Sequence, residues 1–203
     1  MSKLRVYSLG LFTLLMVPIA WVLQLVVSPS MPPWQEFFRI DELFSTWTLI
    51  GIEFGLLFGA LMLLITGTDV ASQSFGQQIR LIRSFRLTIV DTVFLSLCAG
   101  IGEEFLFRGA LQDLAHYWLS GNFFPAGLQQ WLPQLLTSVV FVAIHGYINP
   151  RDWDTTKFGL IVLLFIIALS FGVSSQGIWF CIAAHAAYDF LLLIWWSRYK
   201  LNS

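Results

Sequence analysis

Charge is scarce in this chain. Lysine, arginine, aspartate and glutamate make up 11% of its 203 residues, 57% are hydrophobic, and the mean hydropathy is +0.75. A soluble domain is about a quarter charged, so this balance excludes an ordinary soluble globule and points to a protein that crosses a bilayer several times. A basic excess is absent as well: the net charge is −1, which removes nucleic acid as a partner. Cysteine is nearly missing. Cys98 and Cys181 lie in apolar runs, form neither a CxxC pair nor a disulfide framework, and read as small buried hydrophobes. There is no internal repeat and no low-complexity tract, so residues 1–203 read as a single membrane domain. Three hydrolase signatures are also lacking: the HExxH zinc helix, the GxGD aspartyl motif and the GxSxG serine elbow.

What is present is a set of long apolar runs. Six are long enough to cross a bilayer, at roughly 6–27, 47–66, 87–112, 131–149, 158–173 and 177–196. The first exceeds a signal-peptide core and lacks a clean cleavage site, so it is expected to be a retained span. The predicted fold class is therefore all-α, a polytopic transmembrane helical bundle of about six spans. With the N-terminus inside, Lys3, Arg5, Arg80, Arg83, Arg86, Arg151, Lys157, Arg198 and Lys200 fall on the cytoplasmic side and only Arg39 opposite. The positive-inside rule then predicts that both termini are cytoplasmic. The Pro- and aromatic-rich connection over 28–47, with Trp131, Trp179, Trp195 and Trp196 near segment ends, suits the membrane interface. Gly51, Gly55 and Gly59 form a four-residue ridge that predicts close helix packing.

Ionisable residues inside spans mark function by default, because an unpaired charge there is costly. The third span holds Glu103, Glu104 and Arg108. The fourth ends in "FVAIHG", with His145, and the sixth reads "AAHAAYDF", with His185 four residues before Asp189. Residues i and i+4 share a helix face, so Glu104 is expected to pair with Arg108, and Asp189 to orient His185. Glu103 and Glu104 point about 100° apart, which leaves Glu103 to face the histidines. Two chemistries fit that set. Glu103 can act as a general base on water with help from His145; alternatively, Glu103, His145 and His185 can ligate one divalent metal such as zinc. Glu53, Asp91 and His116 are weaker candidates: Glu53 as a pore or site residue, Asp91 as a cap and His116 as a surface residue.

"EEFLFR", "FVAIH" and "HAAYD" together resemble the EExxxR, FxxxH and HxxxN/D motifs of the CPBP family, the CAAX-protease and bacteriocin-processing membrane proteins. Their eukaryotic relatives are the type II CAAX prenyl proteases. The resemblance covers about 90–196, a CPBP-like catalytic core. It implies an intramembrane endopeptidase with Glu103 activating water, His145 sharing that task, Glu104 and Arg108 in support, and His185 with Asp189 on the oxyanion side. It implies a lipid bilayer and a peptide or membrane-protein substrate as partners, and a bacterial inner (cytoplasmic) membrane as location. The chain departs from the pattern in two ways. Asp189 stands where asparagine is common, and an ionised carboxylate repels an oxyanion that an amide would bind. The eukaryotic relatives also have more spans.

Two other functions compete: a non-proteolytic membrane scaffold or immunity protein, and a proton-coupled transporter using Glu103 and the histidines as a relay. Against the transporter, no half of the chain is repeated. Along ideal spans, His145 falls at a different depth from Glu103 and His185. A common site therefore needs a broken or tilted helix, and "AGIGEE", with Gly100 and Gly102 before the glutamates, is the expected place for the break.

Overall fold

A computed structural model describes residues 3–27, 38–66, 76–119, 124–149 and 151–198. Residues 28–37 of the first connection, the polar stretch 67–75 and Lys200 lie outside the described residues. Among the described residues the structure is mainly helical, without strands. Five helical stretches are long and apolar enough to cross a membrane: Lys3–Val27, Thr46–Ile65, Gly127–Ile144, Thr155–Val173 and Ile178–Arg198. The segment expected at 87–112 is helical too, but its ionisable residues, Asp91, Glu103, Glu104 and Arg108, set it apart from those five. The protein is a polytopic helical bundle.

Helices α1 (Lys3–Leu14) and α2 (Met16–Val27) make one bent rod. The bend is written in the sequence, because Pro18 has no N–H to return to Leu14 and its ring crowds that turn. Helices α3 (Thr46–Thr66) and α4 (Gly76–Ser84) follow. Next comes α5 (Ile89–Glu104), which runs without a break through a π-helical segment, Phe105–Leu111, into α6 (Gln112–Leu119). The chain ends in α7 (Ala126–Ile144), α8 (Trp153–Gln176) and α9 (Ile178–Arg198). Asp91 caps α5, accepting from the Thr88 N–H at 2.9 Å while Thr88 Oγ1 accepts from the Asp91 N–H at 3.2 Å, a reciprocal capping box.

Helix α9 lies at the centre. A Cβ added at Gly51 or Gly55 would run into the backbone carbonyls of Phe180 and Ala184, and one at Gly59 would meet Leu191. The expected glycine ridge therefore seats α3 directly on α9. Gly100 makes the same kind of approach from α5 to Ile182 and Ala186, and Gly102 lies against the Thr13 backbone of α1. These two glycines admit neighbouring helices, and the helix does not break there as the sequence suggested. Facing residues set the helix directions. Helices α1, α5 and α8 begin, and α9 ends, at one end of the bundle, which therefore gathers Lys3, Arg5, Arg86, Arg151 and Arg198, while Arg39 lies at the other. Trp179 donates to the Phe38 and Arg39 carbonyls at 2.8 and 3.0 Å. Trp196, expected as an interfacial anchor, is buried instead, in the core with Leu192 and Ile79. The outward faces carry leucines and isoleucines such as Leu57 and Leu164, as suits contact with lipid.

The expected break occurs at a different place. Helix α7 starts before residue 131 and stops at Ile144, not 149. Gly146, at φ +73°, takes the left-handed conformation; its N–H bonds to Ala143 O at 3.0 Å, and the Tyr147 N–H to Val142 O at 3.3 Å. This is a Schellman termination, and it makes His145 the capping residue. The chain then runs back along the first turns of α8. The Tyr147 carbonyl packs on Gly159, and Asn149 exchanges hydrogen bonds with Thr156 Oγ1.

Gly55→Ala should lower stability by about 1–3 kcal/mol through overpacking against Ala184, read as a lower unfolding midpoint in detergent. Gly127→Ala, where nothing lies within 4 Å of the new Cβ, should leave the midpoint unchanged or slightly raised. Equal midpoints for the two variants would remove the ridge from the packing account.

Candidate active site

The site is built outward from Glu104, which is fully buried. Its Oε2 lies 3.3 Å from Arg108 Nε, one turn along the same helix, and its Oε1 accepts from His185 Nδ1 at 2.7 Å. The Arg108 contact has ion-pair distance without hydrogen-bond alignment. Arg108 also donates from Nη2 to the Ile166 carbonyl of α8 at 3.3 Å, and its guanidinium sits 5.0 Å above the Phe141 ring of α7. One turn further, Gln112 donates to the Ser170 carbonyl at 3.2 Å, and the Ser138 and Ser170 hydroxyls meet at 2.9 Å. A polar seam thus joins α5, α7, α8 and α9 through an otherwise apolar core. The i, i+4 spacing anticipated the Glu104–Arg108 pair. The bond from Glu104 to His185 was not anticipated, because 81 residues separate the two in the chain.

Glu103 faces the other way. Its Oε2 lies 3.5 Å from His145 Nε2 and 3.9 Å from His185 Nε2, and Asp189 Oδ2 lies 3.6 Å from that same His185 nitrogen. Glu103, His145, His185 and Asp189 border one cavity of about 180 Å³, closed by Phe141, Val162, Phe165 and Ile166 and by two tyrosines, Tyr147 and Tyr188. Asp189 therefore approaches the Nε2 side of His185, while Glu104 holds Nδ1. Both rings are fixed in the same tautomer. His145 Nδ1 donates to Phe141 O at 2.7 Å, since a carbonyl can only accept, and His185 Nδ1 donates to a carboxylate already paired with arginine. Both Nε2 atoms consequently point into the cavity.

The π-helical segment begins directly after the glutamates. The Gln112 N–H reaches back five residues to Phe107 O. Wide turns of this kind occur at functional sites, where they re-aim side chains. Gln24 of α2 donates to the Gly109 carbonyl within this segment. Other sequence candidates are not drawn in. Glu53 is exposed on the face of α3 away from the glycine ridge, and His116 lies two turns beyond Arg108 on α6. Tyr147 was missed; its only signal was its position two residues past the motif histidine.

The expected metal ligands Glu103, His145 and His185 are close, but no group of three or more His, Cys, Asp or Glu side chains among the described residues is arranged to hold a metal ion.

Residues 85–191, just over half of the chain, match the family described as type II CAAX prenyl endopeptidase Rce1-like. No curated protein and no solved structure matches the chain.

Arg108→Ala would leave the Glu104 carboxylate buried without its cation, and should cost about 3–5 kcal/mol. Thermal unfolding in detergent measures this directly. An unchanged midpoint would mean that Glu104 does not depend on Arg108.

Proposed function

This chain belongs to the type II CAAX prenyl endopeptidase Rce1-like family, a protease family, and on that premise we propose that it is an intramembrane endopeptidase whose nucleophile is a water activated by Glu103 and His145. The observation that carries this reading is the convergence of Glu103, His145, His185 and Asp189, from three helices, on one cavity. Glu103 Oε2 and His145 Nε2 stand 3.5 Å apart. A water touching both can donate one proton to each, which turns its lone pair toward a substrate carbonyl.

The steps follow from those two acceptors. The water oxygen bonds to the carbonyl carbon as its proton passes to Glu103. The carbonyl π-electrons move to the oxygen, forming a tetrahedral oxyanion. When that collapses, the C–N bond breaks and Glu103 returns the proton to the leaving amine. His145 is kept in register by its Nδ1–H bond to Phe141. His185, clamped by Glu104, presents Nε2 beside Asp189 and borders the oxyanion. Glu104 and Arg108 touch no substrate; they position His185 and the helix that carries Glu103. The substrates are peptides or membrane proteins reached through the bilayer.

Glu103→Ala and, separately, His145→Ala should abolish cleavage of a quenched-peptide library in purified protein whose unfolding midpoint matches wild type. Wild-type turnover by either folded variant would sink the assignment. In the same assay turnover should survive prolonged chelation, with elemental analysis showing no stoichiometric metal. Loss on chelation that zinc restores would overturn the metal-free mechanism.

A further inference from the structure

We propose that Tyr147 is a further catalytic residue, whose phenolic hydroxyl donates a hydrogen bond to the oxyanion formed in the Glu103 cavity. The inference rests on the endopeptidase reading and assigns the one task in it that the four motif residues leave open. Asp189 cannot perform that task as a carboxylate, since it only accepts. The histidines are constrained by their tautomers. With each Nδ1–H committed to Phe141 O or Glu104 Oε1, a neutral ring carries no proton on Nε2. A charged ring has one, but carboxylates compete for it: Glu103 lies 3.5 Å from His145 Nε2, and Glu103 and Asp189 lie 3.9 and 3.6 Å from His185 Nε2. Arg108 is spent on Glu104 and Ile166 behind the cavity, and is not among its lining residues. The remaining cavity-lining residues that carry a side-chain donor are the two tyrosines.

Tyr147 is the better placed of the two. Its ring lies nearly parallel to His145, with centroids 6.0 Å apart and an interplanar angle of 12°. Its hydroxyl is within electrostatic range of both Glu103 and Asp189. The ring is held from behind by Phe158 at 5.4 Å, and its backbone by the carbonyl seated on Gly159, where no larger residue fits. A donor fixed in this way meets the requirement of an oxyanion site, a dipole in place before charge develops. Tyr188, by contrast, is wedged between Phe58 and Phe165 in the core. No hydrogen bond ties the Tyr147 hydroxyl to another described residue.

The test uses the full chain in detergent and the library peptide it cleaves fastest, with Glu103→Ala as the blank. Tyr147→Phe keeps the ring and its stacking. It should lower kcat on the order of 10²-fold with KM and unfolding midpoint unchanged, a split that a purely structural tyrosine would not produce. Asp189→Asn supplies an amide donor on the oxyanion side, so adding it to Tyr147→Phe should recover at least tenfold of the lost kcat. An unchanged kcat in folded Tyr147→Phe, or a loss found in Tyr188→Phe instead, overturns this inference and leaves the endopeptidase reading standing. Absence of any Glu103-dependent cleavage by the wild type overturns both.

Discussion

A carboxylate with no access to water cannot stand alone among apolar helices, and the arrangement of this bundle follows from how Glu104 is satisfied. One oxygen faces Arg108 on its own helix and the other takes the Nδ1–H of His185 from α9. Arg108 in turn reaches a carbonyl of α8 and the face of an α7 aromatic ring. Four helices are thus tied to one buried charge, so removing any partner leaves an expensive group unpaired. The same contacts determine which nitrogen of His185 enters the cavity, so the support of the fold and the orientation of the site are a single set of bonds.

The second constraint is on the backbone. Non-helical chain within a membrane protein is tolerated where it is packed in protein or lines a polar cavity. The segment from His145 to Asn149 meets that condition: it is capped by the Schellman bonds of Val142 and Ala143 and tied to α8 through Thr156. Ending α7 early is what brings His145 level with Glu103. The π-helical turn after Glu104 adjusts the other side, allowing Glu103 and the Glu104–Arg108–Gln112 stripe to face different neighbours along one uninterrupted helix.

Much of this could be read in advance, and the exceptions share a cause. The i, i+4 pair of Glu104 and Arg108, the separation of Glu103 from Glu104, and the packing role of Gly51, Gly55 and Gly59 are local consequences of helix geometry, so the sequence carries them. The location of the break is not local in the same sense. "AGIGEE" offers two glycines, yet Gly100 and Gly102 are needed as notches for α9 and α1. The single Gly146 after His145 ends a helix because its left-handed turn lets two orphan carbonyls be satisfied. Glycine composition cannot tell a notch from a stop; what lies against the residue does. The Glu104–His185 bond and the approach of Tyr147 to the cavity depend on helices meeting across long stretches of chain, and no spacing rule reports them. Likewise, Trp196 was placed by its position near a segment end, but the packing of α9 turns it inward.

Exposure differs sharply across the site. Side-chain accessibility is 30% at His145, 25% at Asp189, 14% at Glu103, 6% at His185 and zero at Glu104. The Glu104–Arg108 pair is the driest part of the site, at 0% and 1% side-chain accessibility. That order matches the tasks proposed for each group. Glu103 and His145, the pair proposed to receive water, are more accessible than Glu104 and Arg108, whose mutual hold is strengthened by the low polarity around them.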